Sequence, residues 1–360
     1  MKILVVLPFI YPFAIGGMEI YSYYFIKELL KLNVKSSLLS YRISKMPDEV
    51  KQYKLHTKNA FLHSLQIFLH LLFYKYDIVH IPYASNSFLA YPMGLYKKFF
   101  NFNDYVIYIH GGGMDNWKKP WIQKLFFDKA KKILSVSDPI KEEYKARTNR
   151  KIITVLPLIP YEIPTRSRIE LRKELGVKED DTLMIYVGSI KPMKGSDFLV
   201  NSMIILNKEF FIRHKIKMLF IGDGELRQEL EEKVKKHKMD AFILFIGKKP
   251  REEVPDYLCS ADIFLNASHF EGTPLSILEA MHNRLLIIST NVTGINNLIE
   301  DKVNGLLFEK DNFDSFKKKL EFAILYKEEC NKIKDYAKEI TLRDYDYKKN
   351  LMKHLEIYAE

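Results

Sequence analysis

Short apolar runs alternate along the chain with longer stretches that have the composition of helices. Residues 2–7, 105–109 and 183–188 are apolar runs of strand length, each followed by proline, glycine or polar residues. Residues 20–32 and 347–358 predict helices. Strands that alternate with helices in both halves of the chain predict an α/β protein with parallel sheets.

Prolines separate the two halves of this pattern. With 360 residues, the chain is long enough for two domains rather than one core. Residues 151–156 form the last apolar run of the first half, and Pro157, Pro160 and Pro164 follow it. We therefore predict a first domain over residues 1–160 and a second over residues 161–342.

The pattern is clearest at residues 261–281. Residues 261–268 predict a buried strand, and residues 275–281 are good helix formers. Between them, Thr273 is predicted as the helix N-cap, with Pro274 at the favoured first helical position. The segment is therefore predicted to fold as a strand, a tight turn and a helix.

A unit of this kind places polar groups at the turn. The backbone N–H groups of Leu275 and Ser276 begin the helix and, together with the helix dipole, favour phosphate or sugar oxygens. Glu271 precedes the helix, and Glu279 within it leans back toward the N-terminus. Both carboxylates could face one crevice and hold parts of a polyhydroxylated ligand. Alternatively, they are solvated glutamates of an ordinary strand–helix unit.

Two positions in the first half also follow strands. Gly16 and Gly17 lie before the helix at residues 20–32, where backbone donors could meet a phosphate or where the glycines form only a turn. His110 ends the strand at residues 105–109, next to three glycines. Open α/β sheets bind ligands at this edge, so His110 is a candidate, although a packed histidine fits equally.

The positive charge is concentrated in the first half. Residues 1–160 contain 23 lysines and arginines against 11 acidic residues, a balance of +12, whereas the total is +11. Such an excess suggests nucleic acid or an acidic membrane surface as partner, or only a lysine-rich composition. Basic and aromatic residues adjoin at positions 96–100 and 117–121, which favours the membrane.

The lengths of the apolar runs and the spacing of the cysteines bear on the compartment in which the protein is expected. No apolar run reaches the roughly 18 residues needed to span a bilayer, and residues 3–8 are predicted as a first strand, not a signal peptide. Cys259 and Cys330 lack metal-ligand spacing and are expected to be free thiols. We therefore expect a cytoplasmic protein, with peripheral attachment to the inner face of the membrane if the basic half binds lipid.

Glu271 and Glu279 are separated by seven residues, and the segment between them begins Gly-Thr-Pro-Leu-Ser. This spacing resembles the E-x7-E segment of retaining, nucleotide-sugar-dependent glycosyltransferases of family 4, the glycosyl transferases group 1. The resemblance implies the GT-B fold: two Rossmann-like domains facing a cleft, with a C-terminal segment, residues 343–360, that packs back on the first domain. It also implies transfer of a hexose from a nucleoside-diphosphate sugar to a hydroxyl acceptor with retention, in cell-surface glycan or glycolipid biosynthesis.

In the second, nucleotide-sugar-binding domain, the resemblance assigns basic residues to the donor. Lys194 matches a lysine that contacts the donor diphosphate. Ser189 stands where the family usually has an arginine, and Lys191 could substitute for that charge. The loop that begins at Lys248 is expected to lie against the nucleobase.

The resemblance also assigns the two glutamates and two residues of the first, acceptor-binding domain. Glu271 would contact the donor sugar and Glu279 the ribose hydroxyls, whereas Gly17 would approach the diphosphate and His110 the reacting centre. The expected catalytic residues are therefore His110, Lys194 and Glu271. The expected donor contacts are Gly17, Ser189, Lys191, Lys194, Lys248, Thr273, Leu275, Ser276 and Glu279.

No cofactor or metal is expected beyond the nucleotide sugar, which is a co-substrate. Lys194 and the helix N-termini near Gly17 and Thr273 could carry the charge of the diphosphate leaving group. The D-x-D letters at residues 344–346 fall between predicted helices and are predicted to be surface.

Two other functions stay open on the sequence. A nucleic-acid-binding module would use the basic first half, but the chain has no recognised binding motif. Nucleic acid is therefore not expected as a partner. The expected partners are a nucleotide-sugar donor and a glycan or lipid-linked acceptor. A catalytically inactive GT-B homologue would fit Ser189 in place of arginine. Saturable hydrolysis or transfer of a nucleotide sugar would separate the enzyme from both.

Overall fold

The computed structural model describes residues 1–10, 17–56, 60–83, 91–100, 103–111, 120–157, 163–272 and 274–360. The chain forms two compact units, Met1–Pro160 with Tyr345–Glu360, and Tyr161–Asp344. Each unit has its own sheet and its own apolar core.

The first unit is built on a seven-stranded parallel sheet. Its strands are β1 (Lys2–Val6), β2 (Lys35–Ser40), β3 (Lys51–Lys54), β4 (Ile78–Tyr83), β5 (Asp104–Ile109), β6 (Lys132–Ser135) and β7 (Ile152–Thr154). They lie in the order β3-β2-β1-β4-β5-β6-β7. Its first five helices are α1 (Gly17–Lys31), α2 (Ala60–Phe73), α3 (Tyr91–Phe99), α4 (Pro120–Lys129) and α5 (Asp138–Lys145). Leu4, Val79 and Ile107 are fully buried, as expected for central strands covered on both faces.

The second unit repeats this arrangement with six parallel strands. They are β8 (Thr182–Val187), β9 (Ile216–Ile221), β10 (Ile243–Phe245), β11 (Ile263–Asn266), β12 (Leu286–Thr290) and β13 (Leu306–Phe308). Their order is β10-β9-β8-β11-β12-β13. The helices are α6 (Arg168–Glu174), α7 (Ser196–Arg213), α8 (Arg227–Lys236), α9 (Val254–Ser260), α10 (Leu275–His282), α11 (Phe313–Leu325) and α12 (Lys327–Asp344), with 3₁₀ turns at Pro192–Lys194 and Arg251–Glu253.

The last helix, α13 (Tyr347–Ala359), belongs to the first unit. Asp346 caps it by accepting a hydrogen bond from Lys349 N at 2.7 Å. Tyr358 Oη lies 2.6 Å from His80 Nδ1 on β4, and Lys131 Nζ donates to Tyr358 O at 3.0 Å. These contacts fix the C-terminal helix on the first sheet, so the predicted return of the chain to the first domain is confirmed.

In both sheets the strand that comes first in sequence lies third from one edge, with the next two strands on one side of it and the later strands on the other. This is the doubly wound order of Rossmann-like folds, so the predicted α/β architecture is confirmed. The order reverses between β1 and β4 in the first unit and between β8 and β11 in the second. Ligands of open α/β sheets bind at such points, beyond the carboxyl ends of the strands.

Candidate functional site

In the second unit, the loops that follow β8 and β11 meet at the point where the strand order reverses. His269 N donates to Met193 O at 3.0 Å, which joins the two loops. Gly195 has φ +63, and a Cβ there would lie 2.1 Å from Ala267 O. Only glycine fits this approach, and it holds the end of the 3₁₀ turn, and therefore Lys194, beside the end of β11.

Lys194 and Glu271 form an ion pair at this meeting point. Lys194 Nζ lies 2.6 Å from Glu271 Oε1, and the two side chains are 34% and 13% exposed. Ser268 Oγ donates to the same carboxylate oxygen at 2.7 Å. Burial, and then the charge of Glu271, raise the pKa of Tyr186 on β8. The structure therefore brings these two predicted site residues into direct side-chain contact.

The backbone of Glu271 is held as firmly as its side chain. Gly294 has φ +89, and a Cβ there would lie 1.7 Å from Glu271 O. Glu271 N donates to Thr293 O at 3.3 Å. The loop after β12 therefore packs directly against the carboxylate-bearing turn, and only a residue without a side chain can occupy position 294.

A buried polar network holds Ser268, which donates a hydrogen bond to the Glu271 carboxylate. Ser268 N donates to Asn266 Oδ1 at 3.0 Å, and Asn266 Nδ2 donates to Ser268 Oγ at 3.2 Å. Ser289 Oγ donates to Asn266 Oδ1 at 3.3 Å, and Thr290 Oγ1 donates to Ser268 O at 2.7 Å. Sequence reasoning did not find this network. The polar residues that end the apolar runs at β11 and β12 were the available signal, because buried polar groups need partners.

Helix α10 begins one residue later than predicted. Pro274 is the N-cap, not the first helical residue, and its carbonyl accepts from Ile277 N and Leu278 N at 3.1 and 3.2 Å. The predicted cap residue, Thr273, lies outside the described residues. Leu275 and Ser276 occupy the first turn, where backbone N–H groups point out along the helix axis. The geometry needed for anion binding at this turn is therefore present.

Glu279 is buried in α10 and paired with an arginine that the sequence analysis did not single out. Arg251 donates through Nη1 to Glu279 Oε2 at 2.7 Å and through Nη2 to Oε1, and the side chains are 11% and 6% exposed. Arg251 begins the 3₁₀ turn after β10. A bidentate arginine–carboxylate pair fixes the orientation of both groups. Glu279 is therefore not a solvated glutamate, which removes the simpler alternative for this residue.

Three polar residues predicted for the site remain in the second unit, on the loops that follow β8 and β10: Ser189, Lys191 and Lys248. Ser189 accepts through its carbonyl from Tyr186 Oη at 2.7 Å and from Lys191 N at 3.1 Å. The side chains of Lys191 and Lys248 are exposed. Lys191 and Lys248 are therefore solvated cations at the loop surface.

His110 and Gly17 belong to the first unit. Gly17 is the first residue of α1, so it lies at a helix N-terminus. His110 packs against the rings of Tyr21 and Tyr108, each with centroids 4.5 Å away, and its Nε2 is buried with no hydrogen-bond partner among the described residues. Burial, and then the nearby His354, lower the pKa of His110 to about 3. At neutral pH the ring is therefore uncharged and can only exchange neutral hydrogen bonds.

The described residues contain neither a cluster of metal-ligating side chains nor a helix that could span a membrane. Within the ranges given above, no three His, Cys, Asp or Glu side chains are grouped so that they could share a metal ion. None of the helices in those ranges combines the length and the apolar character needed to cross a bilayer.

This fold and this charged turn define an α/β protein of two Rossmann-like units. The family model "Glycosyl transferases group 1" matches residues 167–340, and the model "Glycosyltransferase Family 4" matches residues 15–158. The two matches fall on the second and first units respectively. The chain belongs to the group 1 glycosyltransferases of family 4.

Curated relatives match part of the chain. The Phosphatidylinositol N-acetylglucosaminyltransferase GPI3 subunit of Saccharomyces cerevisiae is 27% identical over 246 residues, 65% of this chain and 52% of that protein. The UDP-Gal:alpha-D-GlcNAc-diphosphoundecaprenol alpha-1,3-galactosyltransferase of Escherichia coli is 30% identical over 145 residues, 40% of this chain and 37% of that protein. The matched region thus spans about half the length of the first relative and less of the second.

Solved structures match the whole chain. A glycosyltransferase from Rickettsia africae superposes with a TM-score of 0.82 and 19% identity, covering 99% of this chain and 97% of its own. Anabaena HepE, in complex with UDP and glucose, has a TM-score of 0.82 and 14% identity, covering 100% of this chain and 99% of its own. At such identities the likeness shows the fold, and the GT-B prediction is confirmed.

Proposed function

We propose that the protein is a retaining glycosyltransferase that moves a hexose from a nucleoside-diphosphate sugar to a hydroxyl of a glycan or lipid-linked acceptor. The observation that carries the proposal is the Lys194–Glu271 pair at the switch point of the second sheet. A cation and a carboxylate held side by side suit a ligand with an anionic diphosphate next to a polyhydroxylated sugar. The named partners of related proteins support this: HepE was solved with UDP and glucose.

The chemistry follows from the charges in the turn. The bond between the anomeric carbon and the diphosphate oxygen breaks, and the acceptor oxygen bonds to the same face of the sugar. The acceptor proton passes to the departing diphosphate. Lys194 and the first-turn N–H groups of α10 stabilise the negative charge that develops on the leaving group, which needs no metal ion. Lys194 would leave its contact with Glu271 for the diphosphate when the donor binds.

The two glutamates hold different parts of the donor in this proposal. Glu271 accepts hydrogen bonds from the sugar hydroxyls, since Ser268 and the loop after β12 fix its position. Glu279 accepts from the ribose hydroxyls through the lone pairs that Arg251 leaves available. For Gly17 and His110 the proposal keeps the roles that the resemblance implies, a contact to the diphosphate and a place beside the reacting centre.

The acceptor is proposed to be lipid-linked, so the enzyme works as a peripheral protein at the cytoplasmic face of a membrane. The names of the yeast and E. coli relatives include phosphatidylinositol and diphosphoundecaprenol. The basic balance of the first half supports the same reading. Of the two aromatic–basic segments predicted for the membrane, residues 96–100 end in Phe99 and Phe100, which are exposed. Of the other, residues 117–119 lie outside the described residues, and Trp121 is exposed.

A panel of UDP-, GDP- and ADP-sugars tests the proposal. We expect one nucleotide class to raise the melting temperature and to be hydrolysed or transferred with saturation. An inactive homologue, which Ser189 in place of arginine would suit, would show the shift in melting temperature without turnover. Absence of both responses across the panel would refute a nucleotide-sugar site altogether.

A further inference from the structure

Helix α2 is apolar on two opposite faces. Residues 60–73 include no charged side chain. Ile67 and Leu71 are buried in the core of the first unit. At about 100° per residue, Leu65, Leu69 and Leu72 fall on the opposite side of the helix. They are 41%, 41% and 53% exposed, although the outer face of a surface helix is normally polar.

The exposed apolar face continues beyond these leucines. Phe73, at the end of α2, is 76% exposed. The ring of Phe68 lies 4.7 Å from that of Tyr96 and 5.1 Å from that of Phe100, which joins α2 to the end of α3. We call the combined patch the α2 surface, and it consists of Leu65, Leu69, Leu72, Phe73, Phe99 and Phe100. Exposed leucines and phenylalanines gathered on one helix face and the end of the neighbouring helix are typical of an interaction site.

Basic residues surround the α2 surface. Between residues 50 and 104 the chain has six lysines and two acidic residues, Asp77 and Asp104, and Asp104 pairs with Lys97 at 2.9 Å. Lys75 follows α2 directly, and Lys98 lies beside Phe99; both are exposed. On β3, Tyr53 packs against Tyr74, which brings that lysine-bearing strand to the same end of α2. The rim of the patch is therefore positively charged.

We propose that the α2 surface docks the enzyme on an anionic lipid bilayer, with its leucines and phenylalanines at the boundary between headgroups and acyl chains. The inference rests on the proposed function and deepens it, because it names how the enzyme reaches a lipid-linked acceptor. An apolar centre with a cationic rim matches a layer of acyl chains covered by anionic headgroups. A second copy of the chain fits less well, since a two-fold contact would place the two basic rims against each other.

The test compares matched pairs of leucine replacements. The variant carries Leu69→Glu and Leu72→Glu, and the control carries Leu325→Glu and Leu342→Glu, which are exposed leucines of the second unit. Co-sedimentation uses phosphatidylcholine vesicles with and without phosphatidylglycerol, at low and high salt. We expect wild type and control to bind the anionic vesicles at low salt, and the variant to bind at least about tenfold less. Equal binding by variant and wild type would overturn the proposal.

Two further measurements keep the result unambiguous if the variant folds poorly. Hydrogen exchange of the wild-type α2 amides should slow when anionic vesicles are added, and an unchanged rate would overturn the proposal. Light scattering should show the same mass for wild type and variant. A wild-type dimer that the variant dissociates would instead make the α2 surface an interface between copies.

Turnover separates this inference from the proposed function. Transfer to a water-soluble acceptor, or donor hydrolysis without vesicles, should be the same in the variant, the control and wild type. Vesicle binding without any turnover would refute the transferase and leave the docking surface standing. Turnover without vesicle binding would refute the docking surface alone.

Discussion

Arg251 donates to both carboxylate oxygens of Glu279, and the two side chains are 11% and 6% exposed. The pair joins the turn after β10 to helix α10, across 28 positions of sequence. A carboxylate removed from water is costly unless it is paired and hydrogen-bonded, so each group depends on the other. The pair also holds Glu279 in one orientation.

The stability of the second unit should therefore depend strongly on Arg251. Replacing Arg251 with alanine leaves Glu279 buried without its counter-ion, and we expect a loss of roughly 3–5 kcal/mol in the free energy of unfolding. The matched control is Arg284→Ala, which breaks the exposed pair with Asp335 and should cost about 1 kcal/mol or less. Denaturant unfolding of both variants measures the difference. Equal losses would mean that the buried pair contributes no more than a surface contact.

Donor affinity should depend on the carboxylate itself. Glu279→Ala should weaken binding of the nucleotide sugar by roughly 1.5–3 kcal/mol, the contribution of hydrogen bonds to a charged group. Calorimetry with the donor identified in the nucleotide panel provides the measurement. If the folded variant bound the donor as tightly as wild type, Glu279 would be a structural partner of Arg251 only.

Lys194 should affect the rate more than the fold. Its side chain is about one-third exposed, and Ser268 also donates to Glu271, so Lys194→Ala should cost less stability than Arg251→Ala. Loss of a group that stabilises the leaving diphosphate should lower kcat by roughly 10²–10³-fold. Lys236→Ala, an exposed lysine of α8, provides the control for a general change of charge. A kcat close to that of wild type would remove Lys194 from the reaction.

Sugar transfer should persist in EDTA. In the proposed reaction Lys194 and the first turn of α10 stabilise the diphosphate, so no divalent cation is required. Initial rates with and without EDTA, on protein stripped of metal beforehand, check this expectation. Activity that EDTA abolishes and Mn²⁺ or Mg²⁺ restores would show that the diphosphate is bound differently.

The first unit should lose stability in mildly acidic solution because of its buried histidines. Burial lowers the pKa of His354 to about 4 and that of His110 to about 3, and the pKa of His80 lies well below its usual value. The unfolded chain binds protons near pH 6.5, so the stabilisation is complete above that pH and declines as the pH falls toward 4. Between pH 7 and pH 5 we expect a loss of about 2 kcal/mol for each of His354 and His110, and a change in the same direction for His80.

Two measurements check the histidine prediction. Urea unfolding followed at pH 7 and pH 5 gives the stability change, and proton NMR of the ring of His354 gives its titration directly. Tyr21 Oη lies 3.3 Å from His354 Nε2, and His354 Nδ1 lies 2.8 Å from Asn350 O, so the ring has a defined environment to report on. A midpoint near 6.5 in the folded protein would contradict the prediction.

Local sequence determined the architecture of the protein. Apolar runs of strand length alternating with helices specify parallel α/β units, because covered strands must be apolar on both faces. The segment from Glu271 to Glu279 identified the strand–turn–helix unit at the switch point. The edge strand β3 was not found: it reads Lys-Gln-Tyr-Lys, and its pairing with β2 comes from the neighbouring strand and not from its own pattern.

Only the tertiary structure decided which charged groups meet. Lys194 and Glu271, 77 positions apart, come together because Gly195 packs on Ala267, whereas Arg251 reaches Glu279 from another strand-end loop. Nothing in the local pattern distinguishes these side chains from solvated ones, since ion pairing depends on distances that the fold sets. For the same reason the sequence of α2 shows that this helix is apolar but not that one of its two faces stays uncovered. Periodicity specifies the faces of a helix, and the packing of its neighbours determines which face they bury.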